Sequence, residues 1–282
     1  PAGERAHAQA GAGARGATIY TTLNPCAHKS RRGPACADII VAARPARIVI
    51  GALDPDPRTN GEGIARLEAA GIAVASGIRA AEARSVAAGF MVRPRAGRPH
   101  VTLKLALSLD GRIALPDGSS RWITGPEARA HGHLERARSD LIVVGRGTFE
   151  ADAPRLDVRL SGLADRSPRR ALLTRGTAPG GWEALARPEA IAALESVDHV
   201  LVEGGAGAAA AFLAADLVDR LLVYRAPILI GAGRDAIGDI GLADLAAAHG
   251  RGTNVATGPL GRDRLDVYER VRGDSHVHGN HH

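Results

Sequence analysis

Short apolar runs that read as strands alternate with stretches of helical spacing, and this order most constrains what the chain can fold into. Strands joined through helices pair in the same direction, because a parallel neighbour needs a crossover rather than a tight turn. Residues 17–23 (ATIYTTL) and 46–53 (ARIVIGAL) read as strands on either side of a helix at 35–44. A helix at 61–71, a strand at 72–77 and a helix at 80–92 continue the order. Residues 93–99 (RPRAGRP) have no periodicity and read as a linker. A second block then begins with HVTLKLALSLDG, which alternates strictly. Val101, Leu103, Leu105 and Leu107 fall on one face, and Thr102, Lys104, Ala106 and Ser108 on the other. A helix near 126–138, a strand at 140–145, a loop-rich stretch to about 168 and a strand at 169–174 follow. A strand with a Gly-rich turn at 197–205 leads to a helix at 206–218, a strand at 220–231 and a closing strand at 263–271. The expectation is two α/β units with parallel or mixed sheets covered by helices, and the two halves are not repeats of each other.

Composition narrows the partners. The 282 residues are 45% hydrophobic but only 3% aromatic, so Ala, Val, Leu and Ile must fill the cores. The net charge is +6, with 30 acidic residues interspersed among 36 basic ones. Lacking a long basic run and aromatics to stack on bases, the chain is expected to bind anionic small molecules and no nucleic acid. Two cysteines make no disulfide framework. Neither a signal peptide nor a run of ~20 apolar residues is read, so no membrane partner and a cytoplasmic location are expected. The segment HVHGNHH carries four of the eleven histidines without apolar spacing, and residues 273–282 are expected to be a disordered tail.

Several residues stand out chemically. Lysine occurs only at Lys29 and Lys104, in a chain that otherwise writes its cations as arginine. On the polar face of an apolar strand, Lys104 is either solvated or placed for a phosphate or carbonyl oxygen. Trp122, one of two tryptophans, lies in the loop GSSRWITG and either anchors that loop or meets a ligand. Asp110-Gly111 is explained well by turn chemistry alone. Glu203 precedes a turn of small residues, Gly204 to Gly207, that opens a helix, and such a start is an anion site suited to a pyrophosphate. A plain dinucleotide fingerprint would want an acidic residue at the end of the next strand, and 220–231 offers none. Cys26 and Cys36, in LNPCAHKSRRGPACAD, are two of the three protein ligands of a catalytic zinc site or else two free thiols at a helix start.

Residues 16–38 (GATIYTTLNPCAHKSRRGPACAD), 54–74 (DPDPRTNGEGIARLEAAGIAV) and 100–125 (HVTLKLALSLDGRIALPDGSSRWITG) resemble the bifunctional riboflavin-biosynthesis deaminase–reductase family. Its pattern G-T-x-x-A-D-x-P-x-L-x-x-R is also met, by Gly147, Thr148, Ala151, Asp152, Pro154, Leu156 and Arg159. The resemblance covers nearly the whole chain. It implies a partial cytidine-deaminase-like domain at 1–92, the linker at 93–99, a dihydrofolate-reductase-like domain at 100–272 and the His-rich tail. It further implies reduction of the ribosyl group of 5-amino-6-(5-phosphoribosylamino)uracil with NADPH, and a homodimer formed through the reductase domain. By the same resemblance Lys104 and Glu203 are catalytic, and Ala106, Trp122, Thr148, Asp152, Gly205, Ala206 and Gly207 hold the cofactor. Ser120, Arg136, Leu156, Arg159 and Glu203 would contact the phosphorylated pyrimidine, and a guanidinium such as Arg159 suits a phosphate because it binds in bidentate fashion.

The departures concern the first half. Zinc deaminases of this kind place a ligand His and a proton-shuttling Glu, as H-A-E, about 25 residues before the first cysteine. Pro1-Ala2-Gly3 occupies that position here, and His7 lies nearly two turns late. Asn24 stands in place of the usual Glu before Pro25-Cys26, and Ser119 where the family commonly has Glu. Zinc at Cys26 and Cys36 is therefore doubtful, with only His28 or water to complete it. The deaminase domain reads as truncated at its N-terminus, and deamination is expected to be lost.

Overall fold

Val and Ile crowd the segment Arg47–Ala52, and in the computed structural model it forms the central strand, β2, of a three-stranded sheet, with residues 48–52 all buried. The structure describes residue 6 and residues 8–28, 33–59, 61–248, 251–270 and 272. Residues 1–3, His7 and the His-rich segment 273–282 lie outside the described residues. The chain divides into two compact units, Pro1–Gly97 and Arg98–His282.

In the first unit β2 pairs in parallel with β1 (Thr18–Leu23) and with β3 (Ala73–Ser76). Its helices are α1 (Cys36–Ala43), α2 (Glu62–Ala69), α3 (Ala80–Val86) and α4 (Ala88–Ala96). Ile40, Ile48, Ile50, Leu67 and Ile72 make the core between sheet and helices. α2 presses so closely on the backbone after β1 that a Cβ on Gly63 would fall 1.8 Å from the Pro25 carbonyl oxygen. Only glycine fits there.

Two readings of this unit are corrected. The helix expected at 80–92 is two helices, because Ala87 leaves helical geometry (φ −100°, ψ 19°) and redirects the chain. The stretch 93–99 is not irregular throughout, since its first four residues close α4. Gly97, in the left-handed region at φ 66°, donates its N–H to the Arg93 carbonyl at 2.9 Å and ends the helix. A C-terminal cap and a linker share the same Gly-rich signature.

The second unit has an eight-stranded sheet in the order β12-β13-β10-β4-β9-β6-β7-β8. The strands are β4 (His100–Leu107), β6 (Leu141–Gly145), β7 (Arg169–Leu173), β8 (Glu183–Leu185), β9 (His199–Val202), β10 (Arg220–Arg225), β12 (Thr253–Leu260) and β13 (Asp263–Glu269). The six from β10 to β8 are parallel, while β13 runs antiparallel to β10 and β12 antiparallel to β13. β5 (Arg112–Ala114) and β11 (Arg234–Asp235) form a small separate ribbon. β4 keeps its alternation, with Val101, Leu103, Leu105 and Leu107 buried and Thr102, Lys104 and Ala106 half-buried.

Helices α5 (Pro126–Ala137), α6 (Arg146–Asp152) and α7 (Ala206–Ala214) complete this unit. α6 corrects the loop-rich reading, for it is seven residues long and buries none of them, so it shows no apolar period. α7 stops four residues before its expected end, and β10 ends at Arg225 rather than Gly231. β12, mostly exposed, goes unannounced by any apolar period. At the N-terminal end of β4, Arg98 donates to both carboxylate oxygens of Asp219, at 2.7 and 2.9 Å, and Val101 N–H adds a third bond at 2.9 Å. This clamp ties the first residues of the unit to the start of β10.

Candidate active site

Parallel strands deliver their C-terminal ends to one side of a sheet, where loops and helix starts leave room for a ligand. At that end of the second unit lies a cavity of about 580 Å³. Its wall includes Lys104 and Ala106 from β4, Glu203 to Gly205 after β9, and Arg129, His133 and Arg136 from α5. Ser120 to Thr124, Thr148, and Asp152 to Asp157 with Arg159 close the rest.

Glu203 is the charged centre. Arg136 donates Nε to Oε1 at 2.7 Å and Nη2 to Oε2 at 2.9 Å, a bidentate pair, while Nη1 holds the Asp157 carbonyl at 3.0 Å. Lys104 Nζ stands 3.8 Å from Glu203 Oε2 and over the Tyr224 ring, 5.6 Å from its centre. Burial pushes the Glu203 carboxyl up, but the nearby Lys104 and the Arg136 bonds outweigh it and hold the group below the usual carboxylate range. Burial likewise opposes the charge on Arg136, and Glu203 more than restores it. The cluster thus presents two fixed cations and one anion, with ammonium donors of Lys104 left for another acceptor.

Next to this centre the chain turns tightly. A Cβ on Gly204 would lie 2.5 Å from the Ala208 Cβ, and Gly205 N–H donates to Thr148 Oγ1 at 2.8 Å. α7 begins at Ala206 without a side-chain cap. This glycine cradle, open to the cavity, fits a dinucleotide pyrophosphate, because small residues let it reach the helix start. Farther out, Trp122 is 61% exposed, with the guanidinium of Arg129 4.8 Å from its ring centre and that of Arg121 5.9 Å away. Arg121 also reaches Asp152, at 3.7 Å from the carboxylate and 3.4 Å from the carbonyl. On the remaining side, Leu156 is buried in a left-handed conformation (φ 56°), and Arg159 is half exposed with its N–H directed at His133 Nδ1, 3.3 Å away.

The structure brings eleven of the expected residues to this one cavity: Lys104, Ala106, Ser120, Trp122, Arg136, Thr148, Asp152, Leu156, Arg159, Glu203 and Gly205. Ala206 and Gly207 do not line it, because they already belong to the first turn of α7. Asp110 is a turn post, accepting from Ser108 Oγ at 2.6 Å and from Gly231 N–H at 2.6 Å. Arg121, Arg129, His133 and Tyr224 line the cavity as well, and nothing in the sequence singles them out. Arg129 does lie seven positions before Arg136 on the same helix face, a spacing that points to it once Arg136 is known.

Cys26 and Cys36 belong to the other unit. Cys36, the first residue of α1, donates its backbone N–H to Cys26 Sγ at 3.4 Å, and both thiols are free. Burial and the neighbouring Cys26 raise the Cys36 thiol above its usual range, against the direction a metal ligand needs. Among the described residues no three His, Cys, Asp or Glu side chains converge where a metal could sit. Among the described residues the donor set thus stops at two thiols, short of the three protein ligands of catalytic zinc. Asn24 has a structural use instead, as its buried Oδ1 accepts from Asp54 N–H at 2.5 Å. Among the described residues no helix is long and apolar enough to cross a membrane.

Residues 99–179 and 187–255 match the model of the RibD C-terminal domain. The chain is 39% identical over 258 residues to the riboflavin biosynthesis protein RibD of Mycobacterium tuberculosis, a match covering 85% of this chain and 75% of the relative. With RibD of Escherichia coli it shares 37% identity over 270 residues, covering 79% and 73%. Its structure is similar to Acinetobacter baumannii RibD, with a TM-score of 0.82 at 32% identity, covering 96% of this chain and 85% of that one. It is also similar to a diaminohydroxyphosphoribosylaminopyrimidine deaminase/5-amino-6-(5-phosphoribosylamino)uracil reductase from Thermotoga maritima, with a TM-score of 0.79 at 27% identity over 95% and 83%. The large mixed sheet is consistent with the expected dihydrofolate-reductase-like fold. On sequence and fold together, this chain belongs to the RibD family of riboflavin-biosynthesis proteins.

Proposed function

We propose that the second unit reduces the ribosyl group of 5-amino-6-(5-phosphoribosylamino)uracil to ribityl with NADPH. The observation that carries this reading is the Lys104–Glu203–Arg136 cluster beside an uncapped glycine turn in one cavity. NADPH, when bound, supplies hydride to C1′ of the ring-opened sugar, and the C=N electron pair moves to nitrogen, which takes a proton. Gly204 and Gly205 let the turn pack on Ala208 and Thr148, which fixes it where the pyrophosphate would lie along its backbone. Arg159, half exposed at the rim, clamps the substrate phosphate in bidentate fashion. Glu203, kept ionised by its two cations, accepts hydrogen bonds from sugar hydroxyls and sets the sugar's orientation. Lys104 donates to the sugar or the nitrogen and steadies charge developing there.

For the first unit we propose no deaminase chemistry, since among the described residues the two thiols have no third ligand with which to activate water. The test is NADPH absorbance with the deaminated ribosylamino-uracil phosphate. Oxidation is expected, and Arg159→Ala should raise KM at least about tenfold. NADPH left unoxidised in the presence of substrate would sink the reductase reading.

A further inference from the structure

The two cysteines of the first unit fall short of a metal site, yet the fold brings them together. Cys26 lies in the loop after β1, and Cys36 is the first residue of α1. Two backbone contacts from the start of that helix close the gap. Cys36 donates its N–H to Cys26 Sγ at 3.4 Å, and Ala37 donates its N–H to the Cys26 carbonyl at 3.0 Å. The two thiols lie within hydrogen-bonding reach of each other. The Cys26 thiol also points at the His28 carbonyl, 3.9 Å away.

The backbone is gripped on both sides of the pair. α2 presses on Pro25 at Gly63, where a Cβ would fall 1.8 Å from the Pro25 carbonyl oxygen. Asn24, just before it, accepts the Asp54 N–H through its side chain. Ala35 and Ala37, which flank Cys36, are fully buried. The two cysteines themselves are half-buried rather than enclosed. Among the described residues no third His, Cys, Asp or Glu converges with them to hold a metal and occupy the sulfurs. A disulfide needs its two Cβ atoms about 3.8 Å apart and facing one another, so a rigid pair already in contact forms it with little strain. A fold that fixes such a pair also makes each thiol the other's nearest reactant, far ahead of any dissolved thiol.

We propose that Cys26 and Cys36 form a reversible disulfide, a redox site in the position where zinc deaminases hold their metal. The proposal stands apart from the reductase reading. The oxidant is a low-molecular-weight disulfide. Cys26, whose sulfur accepts the Cys36 N–H, attacks as the thiolate. Its sulfur bonds to one sulfur of the oxidant, the oxidant's S–S bond breaks, and the first thiol leaves with the proton Cys26 gave up. Cys36 then gives up its own proton, attacks Cys26 Sγ and displaces the second thiol. Two electrons and two protons have then passed to the oxidant. The new bond staples the chain after β1 to the start of α1.

The full chain, freed of metal by a chelator, is equilibrated with reduced and oxidised glutathione at about 1 mM each, quenched with acid and read by alkylation and mass spectrometry. The intramolecular disulfide, about 2 Da lighter than the dithiol, should exceed it at least about tenfold in the folded protein. In urea the same ratio should fall at least about tenfold, because only the intervening chain then holds the sulfurs together. The oxidised protein should unfold at a higher temperature than the dithiol form, and dithiothreitol should abolish the difference. In Cys36→Ser the reaction should stop at a single glutathione adduct on Cys26. Two separate glutathione adducts on the unaltered chain, two thiols left free, or one ratio in both urea and buffer overturns the site. A Cys36→Ser protein without the adduct overturns the step through Cys26.

Discussion

The two units each bring a pair of reactive side chains together, and they differ in what surrounds the pair. In the first, Cys36 N–H points at Cys26 Sγ, and burial together with the neighbouring Cys26 raises the Cys36 thiol above its usual range. In the second, burial also works against charge at Glu203, yet Arg136 and Lys104 overturn it and keep a carboxylate ionised in a mostly enclosed place. Proximity of reactive groups is common to both. Among the described residues, only those of the second unit supply the compensating charges that let a buried group stay reactive.

The sharpest way to break this contrast is Glu203→Gln, which keeps shape and removes charge. With Arg136 and Lys104 left uncompensated, substrate-dependent NADPH oxidation should fall by about 10³, and stability by roughly 3–5 kcal/mol. Arg136→Leu combined with Glu203→Gln should recover part of the stability in urea unfolding but none of the turnover. Recovery of turnover would show that the carboxylate is structural. Next comes Lys104→Met, expected to lower kcat about 10² with a smaller change in KM, because Lys104 makes its extra bond as charge develops. A pure KM effect would reassign it to ground-state binding.

A third test concerns pH. Burial lowers His100 from 6.5 to about 4, with Asp219 opposing the shift and His199, Arg220 and Arg98 adding to it, and its Nδ1 is buried without a hydrogen bond. The unfolded chain takes up this proton below about 6.5 while the folded chain refuses it, so the stability present above 6.5 drains away as pH falls toward 4. At pH 5 the loss should be about 2 kcal/mol relative to neutral pH, and His100→Asn should remove that slope in urea unfolding. An unchanged slope would place the titration elsewhere. The smallest effect is expected from zinc, which should be found well below one atom per chain and should not raise the unfolding temperature of Cys26→Ser or unaltered protein. Stoichiometric zinc bound through Cys26 would put the two units on a level.

Much of this contrast is legible in the amino-acid sequence, for identifiable reasons. Lys104 stands out because strict alternation places a rare cation on the polar face of an apolar strand, and the alternation survives in β4. Glu203 and the glycines after it are visible because a strand, a turn and a helix follow within a few residues. Arg121 and Arg129 are invisible, since an arginine over Trp122 looks in sequence like any solvated arginine. α6 and β12 escape because neither buries enough side chains to imprint a period. The break at Ala87 leaves no mark either, as alanine suits both a helix and its interruption.

The Arg98–Asp219 clamp sits at the opposite end of β4 from Ala106, and Val101, which it also holds, is five residues along the strand and so roughly 17 Å from it. Anchoring and chemistry therefore draw on different ends of the same strands. Substitutions at one end should combine additively with those at the other. A laboratory wanting a hardier catalyst would begin at the clamp and leave the reacting rim alone, and a lineage drifting toward a new substrate has the reverse freedom.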